Sequence, residues 1–217
     1  MQKSLIKKYI NEQKYRHPVQ VAMHLMECRA EKILESNDKY KDSYIDPNVD
    51  IINSSPQVIQ QVREELQDFL LLLYKHNIKN IIQIGLGHWA STHFALSLLL
   101  DKVITIEYDK EHIDRYSSEL CSDCEDVIHS DSLIYHDSLD DNNYDAVFID
   151  GNHSYEYVKK DLYNYSKKIR PGGIIALHDV NFEGDRYGTP KVLKESGYNW
   201  IIISHSKEVG IAYRIKE

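Results

Sequence analysis

The 217-residue chain has no apolar run long enough to cross a bilayer. Its strongest, Phe69 to Tyr74, falls far short of the roughly 20 residues a spanning helix requires. The first residues hold no apolar h-region, so a secretory signal is not expected and a cytoplasmic location, with no membrane partner, is. Cysteine is scarce and odd in number: Cys28, Cys121 and Cys124. That excludes a dense disulfide framework and fits a reducing compartment. Cys121 and Cys124 form a lone CxxC with only His112 and His129 near it, so surface thiols are a simpler reading than a zinc or redox site. Positive charge is also short. The formal net charge is −8, and residues 56–217 carry 17 basic residues against 26 acidic ones. A body of that sign argues against a nucleic-acid acceptor. The first 16 positions are the basic exception, with five Lys or Arg against Glu12, and read as a solvated helix face.

What is present supports one α/β domain with a small appendage: 42% hydrophobic residues and 28% charged ones are ordinary for a protein with a real core. Residues 1–55 stand apart. Ser4 to Lys14 and Val19 to Ser36 read as helices, the second with Val19, Ala22, Met23, Met26, Ala30, Ile33 and Leu34 on one stripe. Core packing explains that stripe most simply; a lid over a pocket or a homodimer contact is the sharper reading. Asn37 to Ser55 is a polar linker. Residues 56–76 then repeat Ile59, Val62, Leu66, Phe69 and Leu73 at helical spacing behind Ser55-Pro56, a good helix start.

From there strands and helices alternate. Asn80 to Ile84 is a buried strand running into Gly85-Leu-Gly87-His-Trp-Ala-Ser91-Thr92 and a helix from about Ser91. Strand, glycine turn and helix form a ligand cradle, because glycine lets backbone approach a ligand and a helix start offers free N–H donors. Val103 to Glu107 is the next strand. Its terminal acid lies 22 residues after Gly85, near the ~20-residue spacing at which an acid meets ribose hydroxyls. Asp126 to His129 is a third strand, tipped by Asp131 and Ser132; Asp131 reads evenly as a ligand to an adenine amino group or as a helix N-cap.

The centre of the chain is Tyr144 to Tyr155. Val147-Phe-Ile149 is continuously apolar, the mark of a parallel strand covered on both faces, and it delivers Asp150 to the carboxyl edge where open α/β sheets bind ligands. His153 follows three residues later, within reach of the same cleft. Tyr155 to Ile169 reads as a helix stopped by Arg170-Pro-Gly-Gly173, and Ile174 to Leu177 as a strand tipped by His178-Asp179. Two strand tips thus send Asp150, His153, His178 and Asp179 toward one rim. Residues 181–189 form a polar loop, 190–196 a short helix, and Trp200 to Ser204 and Ile211 to Ile215 a closing hairpin with one antiparallel strand.

Over about residues 78–217 the chain resembles class I S-adenosylmethionine-dependent methyltransferases. The resemblance rests on Ile84-Gly-Leu-Gly87 with Ser91-Thr92, on Glu107, on Phe148-Ile-Asp150-Gly-Asn-His153-Ser-Tyr-Glu156, and on Pro171-Gly-Gly with Leu177-His-Asp179. The Asp-Gly-x-His-x-Tyr-Glu run is similar to that of a subgroup holding metal-dependent macrolide-sugar and other small-molecule O-methyltransferases. The resemblance implies a Rossmann-like, doubly wound, seven-stranded sheet behind an N-terminal helical cap, with residues 56–217 as the methyltransferase domain. It implies that Gln83, Gly85, Gly87 and Ser91 lie at the methionine part of S-adenosylmethionine, Glu107 on the ribose, Asp131 and Ser132 by the adenine, and Asp150 beside the reacting methyl. It implies a divalent cation on Asp150, His178 and Asp179, Mg²⁺ or, with an imidazole in the set, a softer ion such as Mn²⁺ or Fe²⁺, and His153 as general base. A site without metal stays open. Two positions depart from the pattern: Gln83 stands where the first strand usually ends in an acid, and the third glycine is missing near Trp89-Ala90. The expected function is O-methylation of a small molecule or sugar. The rivals are a metal-independent N-methyltransferase, a non-catalytic cofactor-binding or assembly protein of the same fold, and a nicotinamide-dependent dehydrogenase.

Overall fold

The computed structural model describes residues 2–11, 17–36, 61–120, 125–182, 187–207 and 209–217. Seven strands form one sheet: β1 (Asn80–Ile84), β2 (Lys102–Glu107), β3 (Glu125–His129), β4 (Tyr144–Ile149), β5 (Ile169–His178), β6 (Ile201–Ile203) and β7 (Ile211–Ile215). Their spatial order is β3-β2-β1-β4-β5-β7-β6. The first five are parallel, and β7 alone runs against its neighbours β5 and β6. This is the Rossmann-like arrangement that the resemblance implied. The order reverses between β1 and β4, so the crevice at their carboxyl ends is where such a sheet binds its ligand.

Apolar runs fold this way because each central strand is covered on both faces. Ile81, Val103, Ala146, Phe148, Ile174 and Ala176 face one core with Leu66, Phe69, Leu70 and Leu73 of α3 (Arg63–Lys75) and with Ala95 and Leu96 of α4 (Ser91–Leu99). Ile82, Ile104, Val147, Ile149, Ile175 and Leu177 face the other with Val158, Leu162 and Tyr165 of α7 (Tyr155–Lys168) and Val192 of α8 (Thr189–Glu195). The N-terminal helices α1 (Gln2–Asn11) and α2 (Pro18–Ser36) lie on the first layer. Val19, Met23, Met26 and Ala30 of α2 belong to the same buried cluster as α3 and the sheet. Two shorter helices, α5 (Lys110–Tyr116) and α6 (Ser132–Tyr135), follow β2 and β3. Among the described residues no helix is long and apolar enough to cross a membrane.

Two boundaries differ from the sequence expectation. The helix read from Pro56 is described only from Arg63, its first turn lying outside the described residues along with Cys121 and Cys124. The helix before Pro171 ends at Lys168, and Arg170-Pro-Gly-Gly173 lies inside β5 rather than in a turn. The pairing with β4 jumps from Tyr144↔Ile169 to Ala146↔Ile174, so these residues bulge out of the ladder. Gly172 takes a φ of +77° there, its N–H donates to the Lys216 carbonyl, and the Lys216 N–H donates to Gly173. A Pro-Gly-Gly run with partners on the neighbouring chain is a bulge, where the same run without them would be a stop.

Two fully buried carboxylates meet opposite fates. Glu65 of α3 accepts from the backbone N–H of His205, Ser206 and Gly210 at 2.8–3.0 Å, which ties α3 to the turn before β7. Asp161 of α7 is as deeply buried, but neither of its oxygens has a partner in hydrogen-bond geometry. Burial pushes its pKa up to about 7, with Ser132 opposing the rise and Asp131 adding to it. A folded pKa above the unfolded one means stability that is fully present below about pH 4 and lost as pH rises through about 7. Asp161→Asn should therefore raise the melting temperature at pH 8 and leave it nearly unchanged at pH 4, as read by calorimetry at the two values. Glu65→Ala should cost about 3 kcal/mol by urea unfolding, because three backbone N–H groups lose their side-chain acceptor together.

Candidate active site

The first half of the site is the turn after β1. Gly85 has φ +90° and Gly87 φ +70°, both in the left-handed region that suits glycine. A Cβ on Gly85 would stand 2.1 Å from the Asp150 carbonyl oxygen. The chain here is pressed between two strand ends: the Gly85 N–H donates to Ile106 and the Asp150 N–H to Ile84, each at 2.9 Å. The place of the third glycine is held by Ala90, the N-cap of α4, in the same left-handed conformation at φ +53°. The turn geometry survives, at the strain of placing a side chain where glycine is at ease.

Glu107 braces this turn. Its Oε2 accepts from the N–H of Leu86 at 2.7 Å and of Gly87 at 3.3 Å, and its Oε1 from the N–H of Asp109 at 2.7 Å. Burial alone would raise its pKa; the His112 imidazole, 3.5 Å away, and the Asp109 and Leu86 N–H groups more than offset that and hold it below the usual range. His88, in the turn itself, goes the other way. Burial, then the charge of Arg115, lowers it to about 4, so it is neutral at physiological pH. At the end of β1, Gln83 donates from Nε2 to the Gly85 carbonyl at 2.7 Å, while its Oε1 is buried without a partner. Asp131 caps α6, accepting from Leu133 N–H at 2.9 Å and from the Tyr157 hydroxyl at 3.1 Å. Ser91 and Ser132 are buried first residues of α4 and α6.

The second half is the pair of strand tips. β4 and β5 pair in register through Ile149↔Leu177, so Asp150 and His178-Asp179 emerge side by side. His178 Nδ1 lies 3.0 Å from Asp150 Oδ1 and 3.1 Å from Asp179 Oδ1, bridging the two acids from the buried side. Asp179 leaves the strand with φ +57°, which turns its carboxylate back to the same rim. Asn152 accepts from the Ser154 N–H, which turns the chain so that His153 faces the acids. His153 Nε2 is 2.9 Å from Asp179 Oδ2 and 3.6 Å from Asp150 Oδ1.

Asp150, His153, His178 and Asp179 meet at one rim, and the imidazole grouped with the two acids at metal-ligand spacing is His153 rather than His178. The ligand atoms that lie within 4.8 Å of one another, as a metal would require, come from Asp150, His153 and Asp179. His178 stands behind them as a clamp, with Nε2 buried and unpartnered. Residues that the sequence did not single out complete the surroundings. Gln61 donates from Nε2 to Asp150 Oδ2 at 2.8 Å from 89 positions away. Phe182 and Tyr187 stack at 4.0 Å, and Tyr187 packs on the His153 ring at 4.9 Å. Gly188, whose N–H donates to the His153 carbonyl at 2.7 Å, has no room for a Cβ against Tyr155. A lone Gln and a loop tyrosine carry no spacing signal that would have marked them.

Compared with known proteins, residues 82–180 match the model of a methyltransferase domain. Solved structures with the same fold include a provisionally assigned caffeoyl-CoA O-methyltransferase from Staphylococcus aureus, at 20% identity, TM-score 0.55, covering 70% of this chain and 82% of that one. They include the Podospora anserina methyltransferase PaMTH1 bound to S-adenosylhomocysteine, at 15% identity, TM-score 0.54, covering 74% and 82%. The N-methyltransferase NodS from Bradyrhizobium japonicum aligns at 15% identity, TM-score 0.51, covering 70% and 96%. Curated proteins give no match. Residues 82–180 thus match a methyltransferase domain, on the Rossmann-like fold that these solved structures share. The sequence resemblance and the domain match imply S-adenosylmethionine as the methyl donor. The residues fit that donor: a glycine turn with no room for a Cβ, and beside it a buried Gln83 oxygen with nothing yet to accept from.

The charges at the strand tips are testable directly. Partial burial would lower the His153 pKa, but the two carboxylates outweigh it and raise it to about 9. The pair therefore stabilises the fold at neutral pH, and that contribution is lost as pH rises through about 9. An NMR titration of the metal-free protein should show the His153 ring changing charge near pH 9, and Asp179→Asn should move that midpoint down toward the ordinary 6.5.

Proposed function

We propose that the protein methylates a hydroxyl of a small molecule or sugar. The observation that supports this reading best is the convergence of Asp150, His153 and Asp179 at two strand tips, with the backbone of Asp150 in contact with the glycine turn that cradles the methyl donor. Gln83 accepts from the ammonium of the donor's methionine, Glu107 from its ribose, and the start of α6 flanks its adenine. The donor supplies a methyl carbon on a sulfonium, ready for in-line displacement.

A hydroxyl attacks such a carbon poorly while it keeps its proton, so the acceptor must be held in line and relieved of that proton. Asp150, Asp179 and His153 form a set of two carboxylates and one imidazole that would hold a divalent cation, which supplies a Lewis acid for the bound hydroxyl. Two hard oxygens and one nitrogen suit Mg²⁺ or Mn²⁺. The hydroxyl, its pKa lowered by such a cation, would give its proton to water at the rim as the oxygen–carbon bond forms and the carbon–sulfur bond breaks, its electrons staying on sulfur. Phe182 and Tyr187 wall the rim with flat apolar surface, a shape that accepts the face of a sugar or ring. The acidic body favours a small neutral or cationic acceptor over nucleic acid.

Asp150→Ala and His153→Ala should each lower turnover by about a hundredfold, the scale at which a misplaced reacting group costs rate. S-adenosylmethionine binding measured by calorimetry should persist in the His153 variant. EDTA should abolish activity on a panel of hydroxylated acceptors, and Mn²⁺ or Mg²⁺ should restore it. Methylation of an amine that ignores EDTA would replace this reading with an N-methyltransferase, and donor binding without turnover on any acceptor would make the protein a non-catalytic binder.

A further inference from the structure

Resting on the reading that the strand tips hold a cation, we propose that Gln61 is a fourth protein ligand to it, supplied by the chain just ahead of α3. The carboxylate of Asp150 is divided between two sides. Its Oδ1 faces the His178 and His153 rings, at 3.0 and 3.6 Å, and its Oδ2 is held by Gln61 Nε2 at 2.8 Å. A cation bound between Asp150, His153 and Asp179 meets Gln61 at that second oxygen, and an amide N–H is the wrong end to present to a positive charge.

The other end is at hand. Gln61 Oε1 is buried and has no hydrogen-bond partner, an arrangement that costs free energy as it stands. The two ends of a primary amide have nearly the same size, so a half-turn about the terminal bond exchanges nitrogen for oxygen without moving the backbone. After that turn the carbonyl oxygen would replace the nitrogen beside Asp150 Oδ2, and the set that would hold the cation becomes three oxygens and one nitrogen. In the metal-free protein the same residue donates to Asp150 and takes part of its charge. Gln61 thus reads as a side chain with two states, one for each condition of the site. It also brings to the cation the one ligand that comes from outside the β4 and β5 tips.

Mn²⁺ alone serves as probe, followed by the electron paramagnetic resonance signal of the free ion. Wild-type protein should bind Mn²⁺ and Asp150→Asn should not. Gln61→Ala should weaken binding about tenfold or more, the range found when a metal's supporting groups are removed. Gln61→Glu, which puts an oxygen there in either rotamer, should bind at least as tightly as wild type. Calorimetry with S-adenosylmethionine on the Gln61 variants, and circular dichroism on Asp150→Asn, report that the fold is intact. If wild type binds and Asp150→Asn fails, while both Gln61 variants match wild type, Gln61 is only a cap on Asp150 and the inference falls alone. If wild-type protein binds no Mn²⁺, the cation reading falls and takes the inference with it.

Discussion

Two carboxylates at adjacent strand tips repel one another, and one buried imidazole holds them together. His178 is 5% exposed, and its Nδ1 stands about 3 Å from both Asp150 and Asp179. Burial opposes a charge there, but the two acids outweigh it and raise the imidazole well above its ordinary pKa, while they themselves are held below theirs. The ring enters as a cation and converts a repulsive pair into a fixed one. The rest of the site depends on this clamp. It holds the outward oxygens on one rim, where His153 and Gln61 reach them. It in turn depends on β4 and β5 pairing in register through Ile149↔Leu177, since a slip of one residue would send His178 and Asp179 to opposite sides.

The central sheet was legible because parallel strands buried on both faces read as continuous apolar runs. Ile81-Ile82, Val103-Ile104, Val147-Phe148-Ile149 and Ile174-Ile175 all fell where such runs stood. The strand tips were legible for the same reason: an acid or imidazole directly after an apolar run has nowhere to go but the carboxyl edge. Which imidazole faces outward was not legible. His178 ends the strand and keeps its pleat, pointing inward, whereas Asp179 takes a left-handed φ that reverses the chain. A sequence states neither the pleat's phase nor that single dihedral angle. Likewise Pro171-Gly-Gly carries the composition of a turn, and only its partner at Lys216 makes it a bulge.

The glycine turn shows a local rule broken and repaired. Ala90 occupies a left-handed N-cap position without a side-chain acceptor, a poor start for a helix on its own terms. The surroundings over-determine it. Ala90 is buried against Leu86 and Tyr116, the preceding Trp89 carbonyl accepts from Arg29 at 2.7 Å, and the His88 carbonyl accepts from Arg115 at 2.8 Å. Two guanidinium groups thus hold the loop in a shape that its own residues would not choose, which is how strain persists at a binding turn.

That arrangement gives the N-terminal segment a stake in the site. Arg29 lies on α2 and reaches the loop carbonyl while pairing with Glu119 through two N–H groups. Gln61 reaches Asp150 from just before α3. One contact touches the glycine turn and the other a strand-tip acid, from parts of the chain that lie outside the sheet and its crossovers. The stripe of Val19, Met23, Met26 and Ala30 explains how this is possible: by burying itself in the same core as α3, it fixes α2 rigidly enough to aim a side chain at the loop. The apolar stripe is core, as periodicity alone suggested, and the polar residues on either side of it do the reaching. On the proposed function, a segment anchored in that way is free to vary on its outward side and so to alter which acceptor is admitted, while the strand tips and the glycine turn are left unchanged.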